Sequence, residues 1–368
     1  MIPLRPLFAA AVALLAARLA PAQARPAAEP TFEGRVEVTE ALVDVLVTDR
    51  DGNVILGLRP EDFQVRESGR SVEVVSATFY SNRRFLDAAG AGRLGIDPAA
   101  VPDERLLLLV FHDQSWKAAE APDLLARQLR AGRDAAAWLR AELQPGDLVL
   151  VASYGTSLAL HQDFTADRAA LERAVDRAAR NAAAPERWPS RAPAESDLPA
   201  LAAALPEGKA LRDASASFEA ALATLAAAAE RIPGRKNLVL FTTGFGRVSG
   251  LTGEYVPEDH LYRPMIEALN AANVAAYPVD LVAPGVEHPL ESAISRLAED
   301  TGGRPFFDLL DFGGPLERVA ETTNGYYLIA FRSSHPAGEA GYARIEVEVA
   351  NPEFRLTARQ GYRYGEAR

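Results

Sequence analysis

Arg105-Leu-Leu-Leu-Leu-Val-Phe-His-Asp113-Gln-Ser-Trp-Lys117 is the stretch that decides how this chain folds. From Leu106 to Phe111 every residue is apolar, with no helical period and too little length for a buried helix. Such a run is the mark of a strand covered on both faces, and strands of that kind belong to parallel sheets sheathed by helices. It ends on an acid and, two residues on, a hydroxyl, Asp113 and Ser115. Open α/β sheets place their ligand sites at the carboxyl ends of such strands, so these two side chains are the first candidates for function.

Outward from this strand the pattern alternates. Strands are expected near 106–111, 148–154, 158–161, 238–242, 274–279 and 304–307, and helices near 122–143, 167–179, 213–232, 257–272, 290–300 and 315–322. Alternation of this kind predicts a doubly wound, mostly parallel α/β sheet over 103–323. The prolines at 185, 189, 193, 199 and 206 break the rhythm and make 183–208 a long irregular connection.

Before and after this region the period is that of strands. Val43, Val45 and Val47 share one apolar face, and Phe63, Val65, Val72 and Val74 continue the alternation between turn signals at Asp51-Gly-Asn53 and Ser68-Gly-Arg70. Residues 32–82 therefore read as an antiparallel β module, followed by an Ala/Gly/Pro-rich linker at 86–102. Strand period returns over 324–364, which is expected to pack with the N-terminal module as a sandwich.

Residues 1–24 read as a secretory signal: Arg5, an apolar core from Leu7 to Leu19, and a small-x-small site at Ala22-Gln-Ala24. The alternative, an uncleaved anchor, asks for a longer apolar run, and no later segment is apolar enough to span a bilayer. The expected address is secreted or periplasmic. The chain has no cysteine, so it is held by its core alone, and 48% hydrophobic residues in 368 suffice for that. A formal net charge of -11 disfavours binding to nucleic acid or anionic lipid through bulk electrostatics.

The order of elements resembles a von Willebrand factor A domain. Val47-Thr-Asp-Arg-Asp-Gly52, Leu58-Arg-Pro-Glu-Asp-Phe63, Pro145-Gly-Asp147, Gln162-Asp-Phe-Thr-Ala-Asp167, Pro233-Gly-Arg-Lys236, Tyr277-Pro-Val-Asp280, Thr301-Gly-Gly303 and Gly325-Tyr-Tyr-Leu328 narrow it to the VWFA-related family first described in acidobacteria. The resemblance implies protein binding rather than a reaction. It also implies a divalent cation held at the top of the sheet by an Asp-x-Ser-x-Ser motif, a later Thr, and an Asp after the fourth strand. Asp113 and Ser115 match the first two positions, but Lys117 replaces the second Ser, Thr243 falls where the late Asp belongs, and no Gly-Gly-Thr loop precedes the helix near Asp213.

One carboxylate and one hydroxyl beside an ammonium make a weak set for Mg²⁺ or Ca²⁺, so the expectation is a degenerate metal site with no cofactor. Lys117 or a backbone amide then balances Asp113; alternatively Asp113 and Ser115 only cap the following turn. Trp116 is a candidate contact anchor and Asp280 a further rim residue or a turn starter. Asp49-Arg-Asp-Gly-Asn53 opens like a calcium loop but has Pro60 where the closing glutamate belongs, and reads as a hairpin turn. Gly244-Phe-Gly246 lacks the spacing of a dinucleotide fingerprint. The leading expectation is thus a binding module for a protein or peptide, using Asp113, Ser115, Trp116, Lys117, Thr243 and Asp280. Against it stand a metal-assisted hydrolase built on His112 and Asp113, and a structural component of the cell envelope.

Overall fold

The computed structural model describes residues 40–50, 52–81, 105–113, 122–182, 198–323, 325–336 and 338–365. The expected signal at 1–24, the linker at 86–102 and Ser115, Trp116 and Lys117 lie outside them.

Leu106 to Phe111 form the interior of β5 (Arg105–His112), every residue of which but His112 is buried. A pleated strand alternates its faces, and the apolar run serves both. Leu106, Leu108 and Val110 enter one hydrophobic core and Leu107, Leu109 and Phe111 the other. β5 is the middle of a five-stranded sheet with β6 (Asp147–Tyr154), β7 (Leu158–Thr165), β8 (Lys236–Thr242) and β11 (Val274–Asp280), in the order β11-β8-β5-β6-β7. All neighbours are parallel except β7, which returns antiparallel to β6.

Six helices cover it. α1 (Pro122–Glu142), α2 (Arg168–Ala179) and α7 (Gly313–Thr322) close one core, while α4 (Phe218–Ala229), α5 (Asp259–Ala271) and α6 (Glu291–Thr301) close the other. The fold is a mixed α/β one with a mostly parallel, doubly wound central sheet. Among the described residues no helix is long and apolar enough to cross a membrane.

Two differences from the sequence reading have local causes. The helix expected over 213–232 is two, α3 (Gly208–Ala214) and α4, because Ser217 adopts extended backbone and caps Ala220 N with its hydroxyl. The strand expected at 304–307 reduces to one bridge, Phe306 to Val279. Pro305 has no N–H to give a ladder and Asp308 turns the chain at φ 56.

Two four-stranded antiparallel sheets flank this layer. β1 (Glu40–Thr48) lies between β12 (Gly325–Arg332) and β14 (Arg355–Ala358), with β4 (Val74–Ser81) beyond β12. β13 (Gly341–Val349) lies between β15 (Gly361–Tyr364) and β2 (Phe63–Glu67), with β3 (Arg70–Val72) at the edge. Val43, Val45, Val47, Phe63, Val65, Tyr327, Ile329 and Phe331 form their common core. The mixed face of β1 is covered from Asp44 to Thr48, while Leu42 stays exposed. Asp44 is buried against the amino edge of the central sheet, where it accepts a hydrogen bond from Asn273 Nδ2.

Candidate functional site

Because β5, β8 and β11 are parallel and in register, Asp113, Thr243 and Asp280 all fall at one sheet edge: Phe111 pairs with Phe241, and Asp280 with Thr242. All three side chains are buried. The connection between β8 and α5 leaves this edge and carries a two-stranded hairpin, β9 (Arg247–Val248) with β10 (Tyr255–Val256).

Asp113 is 4% exposed. Its Oδ2 accepts from Asn181 Nδ2 at 2.8 Å, and its Oδ1 from Gln128 Nε2 at 3.4 Å, an amide held in place by its shorter bond to Ala179 O at 2.7 Å. Two side-chain amides thus bond this carboxylate, and Lys117, expected from sequence as one of its balancing groups, lies outside the described residues. Both donors come from helix surfaces that only packing brings here. Gln128 sits on the inner face of α1, while Asn181 follows the end of α2 in the left-handed region at φ 49. The sequence held one usable signal: Asn is the commonest non-glycine residue at such a helix exit. Gly155 leaves room for it, since a Cβ there would stand 3.0 Å from Asn181 Oδ1.

Asp280 is engaged separately. Its Oδ1 accepts from Val282 N at 3.0 Å, as a turn starter does, and its Oδ2 lies 3.1 Å from His288 Nε2. Arg127 adds its charge nearby while its guanidinium bridges Leu281 O at 2.7 Å and Leu309 O at 2.8 Å and lies over the Phe312 ring. Burial lowers the Arg127 pKa and the Asp280 charge opposes that shift. Asp280 is thus a turn starter at this edge, and His288 and Arg127 are residues that spacing alone does not reveal.

His112 Nδ1 is 2.9 Å from Thr242 Oγ1, and its ring stacks on Phe218 with centroids 4.2 Å apart. A hydrolytic pair of His112 and Asp113 would need the carboxylate to orient the imidazole. Here Thr242 holds the ring and the amides hold the carboxylate. A second candidate pair exists in the core: Ser153 Oγ is 2.8 Å from His161 Nε2, the separation of a nucleophile and its base. Both residues are inaccessible, and burial, with Arg177 adding to it, pushes the imidazole down to about 4. It is a cross-strand contact without access to substrate.

The sequence resemblance implies a cation at this edge, and the described residues do not fit one. Mg²⁺ and Ca²⁺ need several oxygen ligands around one point. Both Asp113 oxygens already accept amide hydrogens, Asp280 is bonded to His288, and among the described residues no three His, Cys, Asp or Glu side chains gather as a metal site. The Asp49 loop fits calcium no better, because its carboxylate closes the turn onto Asn53 through two bonds of 2.8 Å.

No family model matches the chain, and no curated protein does. Solved structures are similar to it at low identity. An aerotolerance-related membrane protein from Bacteroides fragilis matches with a TM-score of 0.36 at 10% identity, over 59% of this chain and 98% of that one. A von Willebrand factor type A protein from Catenulispora acidiphila matches with a TM-score of 0.36 at 11% identity, over 86% of this chain and 71% of that one. Proximal thread matrix protein 1 from the mussel byssus, in a structure with a zinc-occupied MIDAS motif, matches with a TM-score of 0.35 at 11% identity over 61% of this chain. This chain spans 46% of that protein's length.

Proposed function

We propose that this chain is a secreted or periplasmic binding module of the von Willebrand factor A type, related to the acidobacterial VWFA family, which recognises a protein or peptide at the carboxyl edge of its central sheet without a metal ion. The observation that carries the reading is the state of Asp113: a buried carboxylate that accepts from two side-chain amides, those of Gln128 and Asn181, is a fixed structural corner of the sheet edge. The connections at this edge also carry exposed apolar side chains. The three most exposed large hydrophobic residues among those described are Leu251 at 98%, Leu310 at 75% and Val286 at 54%, and all stand on connections leaving the strand ends at this edge. Exposed apolar side chains of this kind are a usual footing of a protein contact.

The test is capture of partner from an extract by the full chain and by two variants, Asp113→Ala with Trp116→Ala, and Leu251→Ser with Leu310→Ser. Loss of the same captured protein in both variants supports the reading; undiminished capture in both overturns it. A thermal unfolding scan against Mg²⁺, Mn²⁺ and Ca²⁺ is expected to match the scan in chelator, because only a ligand of the folded state raises its stability. A stoichiometric, tightly held transition metal in the purified protein would instead favour hydrolysis.

A further inference from the structure

A second concavity, independent of the strand-end edge, opens where α5 and α6 meet β13, with a volume of about 350 Å³. One stripe of α5 forms its floor: Asp259, Arg263, Glu267 and Asn270 follow at helical spacing, and Arg344 of β13 faces them across the cavity. Arg296 and Asp300 of α6 also line it, but these are engaged. Tyr262 OH donates to Asp300 Oδ2 at 2.7 Å, and the Arg296 guanidinium lies 4.4 Å from the centre of the Tyr262 ring and 3.5 Å from Asp300.

Arg263, Arg344, Asp259 and Glu267, by contrast, enter no ion pair among the described residues. At the bottom Asn270 is fully buried. Its Nδ2 donates to Tyr342 OH at 2.9 Å and to Asp300 O at 3.2 Å, while its Oδ1 has no hydrogen-bond partner among the described residues. A buried acceptor without a donor is costly, and natural structures rarely leave one so.

The unengaged charges decide what fits. A simple anion drawn to the two guanidiniums would meet Asp259 and Glu267, and a simple cation would meet Arg263 and Arg344; a ligand with both signs avoids either repulsion. Opposite charges on α5 are one turn apart, about 6 Å at 1.5 Å per residue. Two residues of extended chain span roughly 7 Å. The geometry points to a binding site for a short zwitterionic peptide of dipeptide size. Its carboxylate lies between Arg263 and Arg344, where guanidinium forks bind planar oxygens in pairs, and its ammonium at a neighbouring carboxylate of α5. The volume, near the lower end of small-molecule sites at roughly 300 Å³, limits the length.

The test is calorimetric titration of the full chain with alanyl-alanine, its N-acetylated form, its C-terminal amide, and free alanine. Saturable binding of the dipeptide is expected, weakened at least about tenfold, or about 1.4 kcal/mol, when either terminal charge is removed. Arg263→Ala and Arg344→Ala, both exposed positions, are expected to weaken it by a similar factor with the melting temperature unchanged, and Arg344→Lys to restore part of it. Absence of saturable dipeptide binding, equal binding of the blocked forms, or full binding by both alanine variants would overturn the site. Free alanine binding as tightly as the dipeptide would overturn its length. A chain that captures a partner at its strand-end edge yet ignores the dipeptide fails this inference alone.

Discussion

Asn181 donates its side-chain amide to Asp113 Oδ2 at 2.8 Å, joining the exit of α2 to the end of the central strand across 68 residues of chain. The bond neutralises nothing in formal charge, yet it replaces the water that a carboxylate at this depth has lost. Removing it by Asn181→Ala takes a donor from a buried carboxylate and is expected to destabilise the fold by about 1–3 kcal/mol in urea unfolding. Asp113→Ala in the same background should then cost much less than it does alone, because the two side chains act as one unit. Strictly additive effects would show that the pair is not coupled.

Arg105 and Asp147 form a second buried contact, bidentate, with Nε to Oδ1 at 3.0 Å and Nη2 to Oδ2 at 2.6 Å. Asp147 also receives Gln144 N at 2.7 Å, which closes the turn through Pro145 and Gly146 and fixes the start of β6. A guanidinium left here without its carboxylate is expected to cost about 3–5 kcal/mol, so Asp147→Ala should lower the melting temperature more than any exposed-pair variant, such as Lys209→Ala. Replacing both partners with apolar residues should recover most of the loss. Comparable melting for the single and double variants would contradict the assignment.

Much of this fold is legible in sequence because its signals are local. Leu106 to Phe111 announces a two-faced strand by composition alone, and Val43, Val45 and Val47 announce a one-faced strand by period. The break at Ser217 and the single bridge at Phe306 are harder, since capping and a missing proline N–H shift boundaries without disturbing the hydrophobic pattern. The edge is legible only in part. Asp113, Thr243 and Asp280 follow from strand ends, whereas Gln128, Asn181, Arg127 and His288 arrive from helices and loops whose packing no spacing rule specifies.

Lys236 is buried at the start of β8 with its ammonium donating to Ile232 O. Burial is the main cause that brings its pKa from 10.5 to about 8, with Asp44 pulling the other way. The unfolded chain keeps that proton to about 10.5, so between about pH 8 and 10.5 unfolding takes up a proton. Stability from this group therefore rises with pH across that window and is lowest below it, by roughly 3 kcal/mol for a shift of this size. Lys236→Met is expected to be more stable than the parent near neutrality, with the gap closing as pH climbs to 10.5. Taking the difference between the two proteins cancels the tyrosines that titrate nearby. A gap constant with pH, measured by denaturant unfolding at each pH, would refute the buried ammonium.

Thr301-Gly302-Gly303 ends α6 and ties it to both neighbours. Thr301 Oγ1 accepts from Ala276 N at 3.0 Å, which pins the helix end to β11. Gly302 caps the helix in the left-handed region at φ 72, and a Cβ there would fall 2.5 Å from Ala358 C, in the backbone of β14. Gly303 is tighter: a Cβ would stand 1.7 Å from Ala276 O. The obstruction in both cases is main chain, which cannot rotate aside, so the demand is steric as well as conformational at Gly302 and steric at Gly303. Gly303→Ala is expected to force β11 away from the loop and to destabilise by more than about 4 kcal/mol, in the range reserved for severe core changes. Gly234→Ala, where a positive φ of 85 is met by open space, should cost only about 1–2 kcal/mol by the backbone effect alone. Similar unfolding midpoints for the two variants would mean that Gly303 does not approach β11 this closely.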